Sequence, residues 1–212
     1  MAGLLACAVL PAQAQDFVDS DGPLTDDVFY RLVACAAPPQ GECAKPFFRW
    51  SKPTLTVGIA TRARAFLGGK QKRAEAAVVR ALQHLNAVEM GLTLRASDDA
   101  PDIVIHLLDT PRGAKIQLPE ASKLNGLTMA NAITVLDVNG PEIRSASIAF
   151  SNTLTLRQYE SVMLEEITQS LGLVTDIQNP YYRSRSIFSQ NSDNSLKTLG
   201  AQDKLALIRH YP

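Results

Sequence analysis

The segment SVMLEEITQSLGLVTD, residues 161–176, gathers side chains that can hold a proton, a cation or a polar ligand. On a helix Glu165 and Gln169 are four residues apart and share one face, with Glu166 beside them and Asp176 beyond the stop expected at Gly172. Glu166 suits a general base, provided a water or substrate is held against it. Glu165, Gln169 and Asp176 make an oxygen-only set for a hard cation such as calcium, magnesium or manganese, although three oxygens are few for calcium. The same groups can bind a peptide's amides and charges without reaction. The plainest alternative is a solvated polar face, opposite an apolar stripe of Leu164, Ile167 and Leu171. Zinc is disfavoured on ligand chemistry, because a glutamine amide is a weak neutral donor and His84, His106 and His210 have no ligand spacing among them. No cofactor is expected.

A helix must present these residues, and a sheet must support that helix. LTLRQYESVMLEEITQSLGL reads as helical, with Thr155 and Gln158 spaced as a capping box. Upstream, Thr25 is placed to cap a short helix ending near Cys35 that buries Val28, Phe29, Leu32 and Val33. TLTVGIA (54–60) alternates like a half-buried strand. Residues 72–90 read as a long helix stopped by Gly91, followed by strands near 92–96 and 102–108. Residues 109–129 carry weak signals and are expected to form a loop with at most a turn of helix. AITVLDV and EIRSASIAF read as two strands joined by an Asn139-Gly140-Pro141 turn. Residues 174–198 are polar and turn-rich, and LGAQDKLALIRHYP closes with an amphipathic helix. Trp50 is expected in the core. The fold class expected is α+β, a mixed, mostly parallel twisted sheet with covering helices and a C-terminal helix.

Composition narrows the partners. With 21 basic and 21 acidic residues among 212, the chain has no net charge and gives no electrostatic case for nucleic acid. MAGLLACAVLPAQA (1–14) is uncharged, apolar and ends in a small-x-small site before Gln15, the pattern of a signal peptide, although its first residues lack Lys or Arg. The apolar run is too short to span a bilayer, so no transmembrane segment is expected. Cys7 as a lipidated cysteine is the rival reading. Cleavage leaves Cys35 and Cys43, which the turn-forming AAPPQGE between them allows to join as a disulfide in an oxidising compartment. The expected organisation is a signal peptide over 1–14 and one domain over 15–212 with its core at about 28–211, exported to the periplasm or beyond.

The succession of strands and helices, together with EEITQSLGL, resembles a metzincin-type zinc metalloprotease domain, whose motif is HExxHxxGxxH/D. LGAQDKLALIRHYP is similar to the final helix of matrix-metalloprotease-like domains, where a Leu and an Asp open a helix closing on a Tyr. More narrowly, EExxQxLGL, the early FYRLVACAAPP, the second cysteine and the Arg49-Trp50 pair resemble a domain-of-unknown-function family of exported Gram-negative bacterial proteins. The resemblance implies a metzincin-like fold in which Glu165 and Gln169 replace two zinc-binding imidazoles and Glu166 keeps the base position. The third ligand position falls on Thr175, next to Asp176. The methionine expected below the site is replaced by Ile187 and Phe188 of SRSIFSQ. These departures imply a pseudoprotease whose cleft of Glu165, Glu166, Gln169 and Asp176 binds a peptide or envelope component, with residues 132–138 as an edge for peptide pairing. A metal-dependent hydrolase using Glu166 and a structural envelope protein are the alternatives.

Overall fold

The computed structural model describes residues 12–14, 16–190 and 195–212. Cys7, Gln15 and the first eleven residues of the expected signal segment lie outside the described residues. The strands are β1 (Ala12–Ala14), β2 (Asp16–Asp19), β3 (Arg49–Trp50), β4 (Thr54–Arg62), β5 (Thr93–Ala96), β6 (Ile103–Leu107), β7 (Ala132–Asn139), β8 (Glu142–Phe150) and β9 (Thr175–Gln178). The helices are α1 (Asp26–Cys35), α2 (Gly69–Asn86), α3 (Tyr159–Gln169) and α4 (Ala201–His210), with short 3₁₀ turns at Arg64–Phe66 and Pro180–Tyr182. The fold is α+β, as expected.

The main sheet runs β1-β7-β8-β6-β4-β5. β5, β4, β6 and β8 are mutually parallel, while β7 lies antiparallel to β8 and β1 antiparallel to β7. Parallel neighbours need long crossovers, and α2 supplies the one between β4 and β5. The Asn139 to Pro141 turn instead returns β7 directly into β8. Strand alternation sends Ile103, Ile105 and Leu107 of β6 and Ala146, Ile148 and Phe150 of β8 into the main core, which α2 and α3 complete.

Three local expectations are corrected. α2 ends at Asn86 with Ala87 as its cap, so Gly91 does not stop it. Gly91 is needed instead for close packing: its N–H donates to the Tyr211 carbonyl at 2.7 Å, and a Cβ would meet the Pro212 backbone. Gln158 accepts from the Thr155 N–H at 3.1 Å, the second half of a capping box, but Thr155 Oγ1 donates to the same amide oxygen and α3 starts only at Tyr159. Residues 109–129 form the expected loop, a run of turns closed by a bridge between Lys115 and Thr128. Ile116, Leu118, Leu124 and Met129 cover Ile133, Val135 and Ala149 on the second face of the sheet, forming a separate apolar cluster. Finally, the polar stretch after residue 174 contains β9, which pairs in parallel with β2.

α1 behaves as read. Thr25 Oγ1 accepts from the Val28 N–H at 3.4 Å, and Phe29, Leu32 and Val33 are buried, with Val28 only partly so. Its last residue, Cys35, is joined to Cys43 by a disulfide.

Candidate functional site

The C-terminal end of α3 is held from three sides. Trp50 is a core residue whose Nε1 donates to the Ser170 carbonyl at 2.9 Å. The Tyr211 hydroxyl donates to the Leu171 carbonyl at 2.6 Å and accepts from the Trp50 N–H at 3.2 Å. Gly172 then turns the chain at φ +99°, where an added Cβ would strike the Phe48 carbonyl oxygen. Beside it, burial pushes His210 down to about 4, so its ring is neutral, and Nε2 donates to the Phe48 carbonyl while Nδ1 accepts from the Tyr30 hydroxyl. His210 is therefore a structural residue.

A second set of contacts fixes β9. Its outer edge pairs with β2, register Asp16 to Thr175 and Phe17 to Asp176. On the other edge the Ile177 N–H donates to the Phe188 carbonyl at 2.7 Å, and the Gln190 N–H to the Ile177 carbonyl at 2.9 Å. The 186–188 turn is pinned in its place by Asp203 of α4. This carboxylate accepts from Ser186 Oγ at 2.6 Å, from the Ile187 N–H at 3.0 Å and from the Gly200 N–H at 2.7 Å. Ile187 and Phe188 are buried in the main core.

These supports bring the sequence-predicted residues together. Gln169, 2 % exposed, donates from Nε2 to Asp176 Oδ1 at 2.9 Å. Glu166, 5 % exposed, accepts from Thr134 Oγ1 of β7 at 2.6 Å, so the helix is tied to the strand next to β1 at that end of the sheet. Glu165 is partly open to solvent. The reading of Glu165, Glu166 and Gln169 as a solvated face is thus corrected: the space opposite that face is filled by β7 and β9 rather than by water.

Burial raises all three carboxyls. Glu165 is held well above the ordinary range by desolvation, then by the negative charges of Asp176 and Glu166. Desolvation pushes Glu166 up to about 8, against the Thr134 hydrogen bond and with the help of Asp176. Asp176 rises to about 7 for the same first reason, while the Gln169 amide and the charge of Lys45 pull it back. Lys45 went unnoticed in the sequence because it belongs to no motif. It reaches Asp176 because Cys43 is bonded to Cys35 and the Ala44 and Lys45 N–H groups both donate to the Cys35 carbonyl at 3.0 Å. Thr134 is the other missed member, and an isolated threonine in a strand gives no signal.

Among the described residues, no group of three or more His, Cys, Asp or Glu side chains converges as a metal site. His106 is bonded through Nδ1 to Thr61 Oγ1 at 2.9 Å, and burial lowers its pKa. A groove of about 180 Å³ lined by Glu120, Lys123, Asp137 and Ser147 lies elsewhere. Val135 and Asp137 alternate with Thr134, so this groove opens on the opposite face of the sheet.

No curated protein matches the chain. A family model described as "Protein of unknown function (DUF2927)" matches residues 33–211. That span takes in α1 from Val33, both cysteines, the whole of α3, Asp176 and α4 through Tyr211, and on it the chain belongs to the DUF2927 family.

Proposed function

We propose that the protein is an exported, metzincin-like pseudoprotease whose former cleft binds an extended peptide or envelope component without cleaving it. The observation that carries this reading is the pairing of Ala12–Ala14 along β7, antiparallel and in register with Thr134–Leu136. β7 therefore offers backbone donors and acceptors that an extended chain can take up, and strand addition is a common mode of peptide recognition. The Thr134 to Glu166 hydrogen bond sets the polar face of α3 against that same strand. The run of β4, α2, β5, β6, β7, β8, α3 and α4 supports the metzincin comparison. A disulfide, and the absence of any described helix long and apolar enough to cross a membrane, are compatible with export.

The lack of cleavage follows from ligand chemistry. An HExxH helix works by holding zinc on two imidazoles so that the glutamate can polarise a metal-bound water. Here the amide of Gln169 is engaged by Asp176, and the carboxylate of Glu166 by Thr134. Incubating the chain from Gln15 with a library of capped extended peptides tests the reading. Saturable binding with peptides recovered intact is expected. Chelator-sensitive cleavage, or no binding of any peptide, overturns it.

A further inference from the structure

The groove on the second face of the sheet is built from two strands and a turn. Val135 and Asp137 of β7 stand opposite Ser147 and Ser145 of β8 and form its floor, since residues directly opposite in an antiparallel pair project to one face. The turn bearing Glu120, Ala121 and Lys123 forms its wall. That wall is anchored on both sides: Leu118 and Leu124 are buried in the second apolar cluster, the Ala121 N–H donates to the Leu118 carbonyl at 3.0 Å, and the Leu124 N–H donates to the Ala121 carbonyl at 2.9 Å. The volume, about 180 Å³, lies below the roughly 300–1,000 Å³ of sites for drug-sized ligands and suits a single six-membered ring.

Most of the hydrogen-bonding capacity in the groove is uncommitted. Among the described residues, the hydroxyls of Ser145 and Ser147 and the carboxylate of Glu120 have no hydrogen-bond partner, and all three side chains reach solvent. Lys123 donates to Asp137 Oδ1 at 2.6 Å, which leaves further N–H groups on the ammonium and the second oxygen of the carboxylate. The charges select against ions. An anion meets two carboxylates, a cation meets Lys123, and a metal finds no group of three convergent ligands among the described residues. A neutral ligand rich in hydroxyls escapes both repulsions. Ser145 and Ser147 are two residues apart on β8, about 7 Å along the strand, so hydroxyls on opposite edges of one ring can reach both. The C–H surface of such a ring can rest on Val135, which is buried at the floor, and on Ala121.

We propose that this groove is a sugar-binding site that takes one pyranose ring, its hydroxyls donating to Glu120 and Asp137 and exchanging hydrogen bonds with Ser145 and Ser147. The site goes beyond the peptide-binding reading and does not rest on it, because neither α3 nor the outer edge of β7 takes part.

The test follows the amide chemical shifts of the whole chain during addition of the methyl glycosides of glucose, galactose, mannose and N-acetylglucosamine. Two controls run beside them: tetrahydropyran-2-methanol, a ring of the same shape without ring hydroxyls, and choline, a small cation. At least one glycoside should move the amides of residues 120–123, 145 and 147 saturably, with a Kd on the order of 1 mM, the scale for a ligand of this size. It should bind about tenfold more tightly than either control. Ser147→Ala and Glu120→Gln should each weaken it about three- to tenfold, the worth of one hydrogen bond, with shifts outside the groove unchanged. A trisaccharide of the same sugar that binds more tightly still makes a glycan chain the source of the ring, and one that binds no better makes the free sugar the source. A control that binds as tightly as every glycoside, no shift at these amides with any glycoside, or equal binding by wild type and both variants overturns the proposal and leaves peptide binding at the β7 edge untouched.

Discussion

Replacing Glu166 by Gln should stabilise the protein at alkaline pH and leave it unchanged near pH 4. The isosteric amide can still accept from Thr134 Oγ1, so the 2.6 Å bond is retained while the titrating charge is removed. Burial raises the Glu166 carboxyl from 4.5 to about 8. A folded pKa above the unfolded one means that the native state binds more protons between the two values, so stability is present below the unfolded pKa and is lost as pH climbs toward the folded one. One pKa unit is worth about 1.4 kcal/mol, which puts the loss on the order of 4 kcal/mol between pH 4.5 and 8, and about 2 kcal/mol where packing relaxes around the charge. Glu165 and Asp176 lie close enough to Glu166 for their charges to act on it and on each other. Denaturant unfolding of wild type and variant at pH 4.5, 6.5 and 8.5 therefore reads the removal of the Glu166 charge together with the relief it gives its neighbours. The expected result is a gap opening steadily with pH in favour of the variant. A gap that stays constant across the range would refute the burial of an ionising Glu166, and a variant weaker at pH 8.5 would mean that the charge is compensated.

Other consequences are accessible to standard measurements. Alkylation of the freshly purified protein without reductant should label neither Cys35 nor Cys43, and the Cys35→Ser, Cys43→Ser chain should lose roughly 2–3 kcal/mol in denaturant unfolding, as for a loop of this length. Gly172→Ala combines a φ of +99° with a collision at the Phe48 carbonyl and should cost at least about 2 kcal/mol, read as a lowered melting temperature. Glu165→His with Gln169→His places two imidazoles four residues apart and should raise zinc affinity measurably by isothermal titration, while wild type dialysed against trace zinc should hold no stoichiometric metal.

What the sequence disclosed, it disclosed through local periodicity. β4 alternates Leu55, Val57 and Ile59, α1 carries its cap at Thr25, and the β7–β8 turn is marked by Asn139 and Gly140; each of these signals lies within a few residues of the element it announces. β2 and β9 are four residues each and polar in part, so neither has a period to detect; they exist because the chain brings Asp16–Asp19 alongside Thr175–Gln178 over a long separation. The burial of Glu166 and Gln169 was invisible for a related reason. On the helix they look like a polar face, and only the packing of β7 and β9 against that face removes it from water. Lys45 depends on both a disulfide and a turn, and neither has a helical or strand period.

Three raised carboxyls gathered inside a fold are an expensive feature to keep, since each gives up hydration and their charges repel one another. Protonation offsets part of that cost, and the values of about 8 for Glu166 and about 7 for Asp176 mean that protons are held there near neutral pH. Unfolding returns both groups to ordinary carboxylate behaviour, so denaturation at pH 7.5 should release protons and its apparent enthalpy should vary with the ionisation enthalpy of the buffer. Scans in phosphate and Tris, run side by side in the calorimeter, would expose this, and the dependence should shrink in Glu166→Gln. A buffer-independent enthalpy would mean that neither carboxyl holds a proton in the folded state.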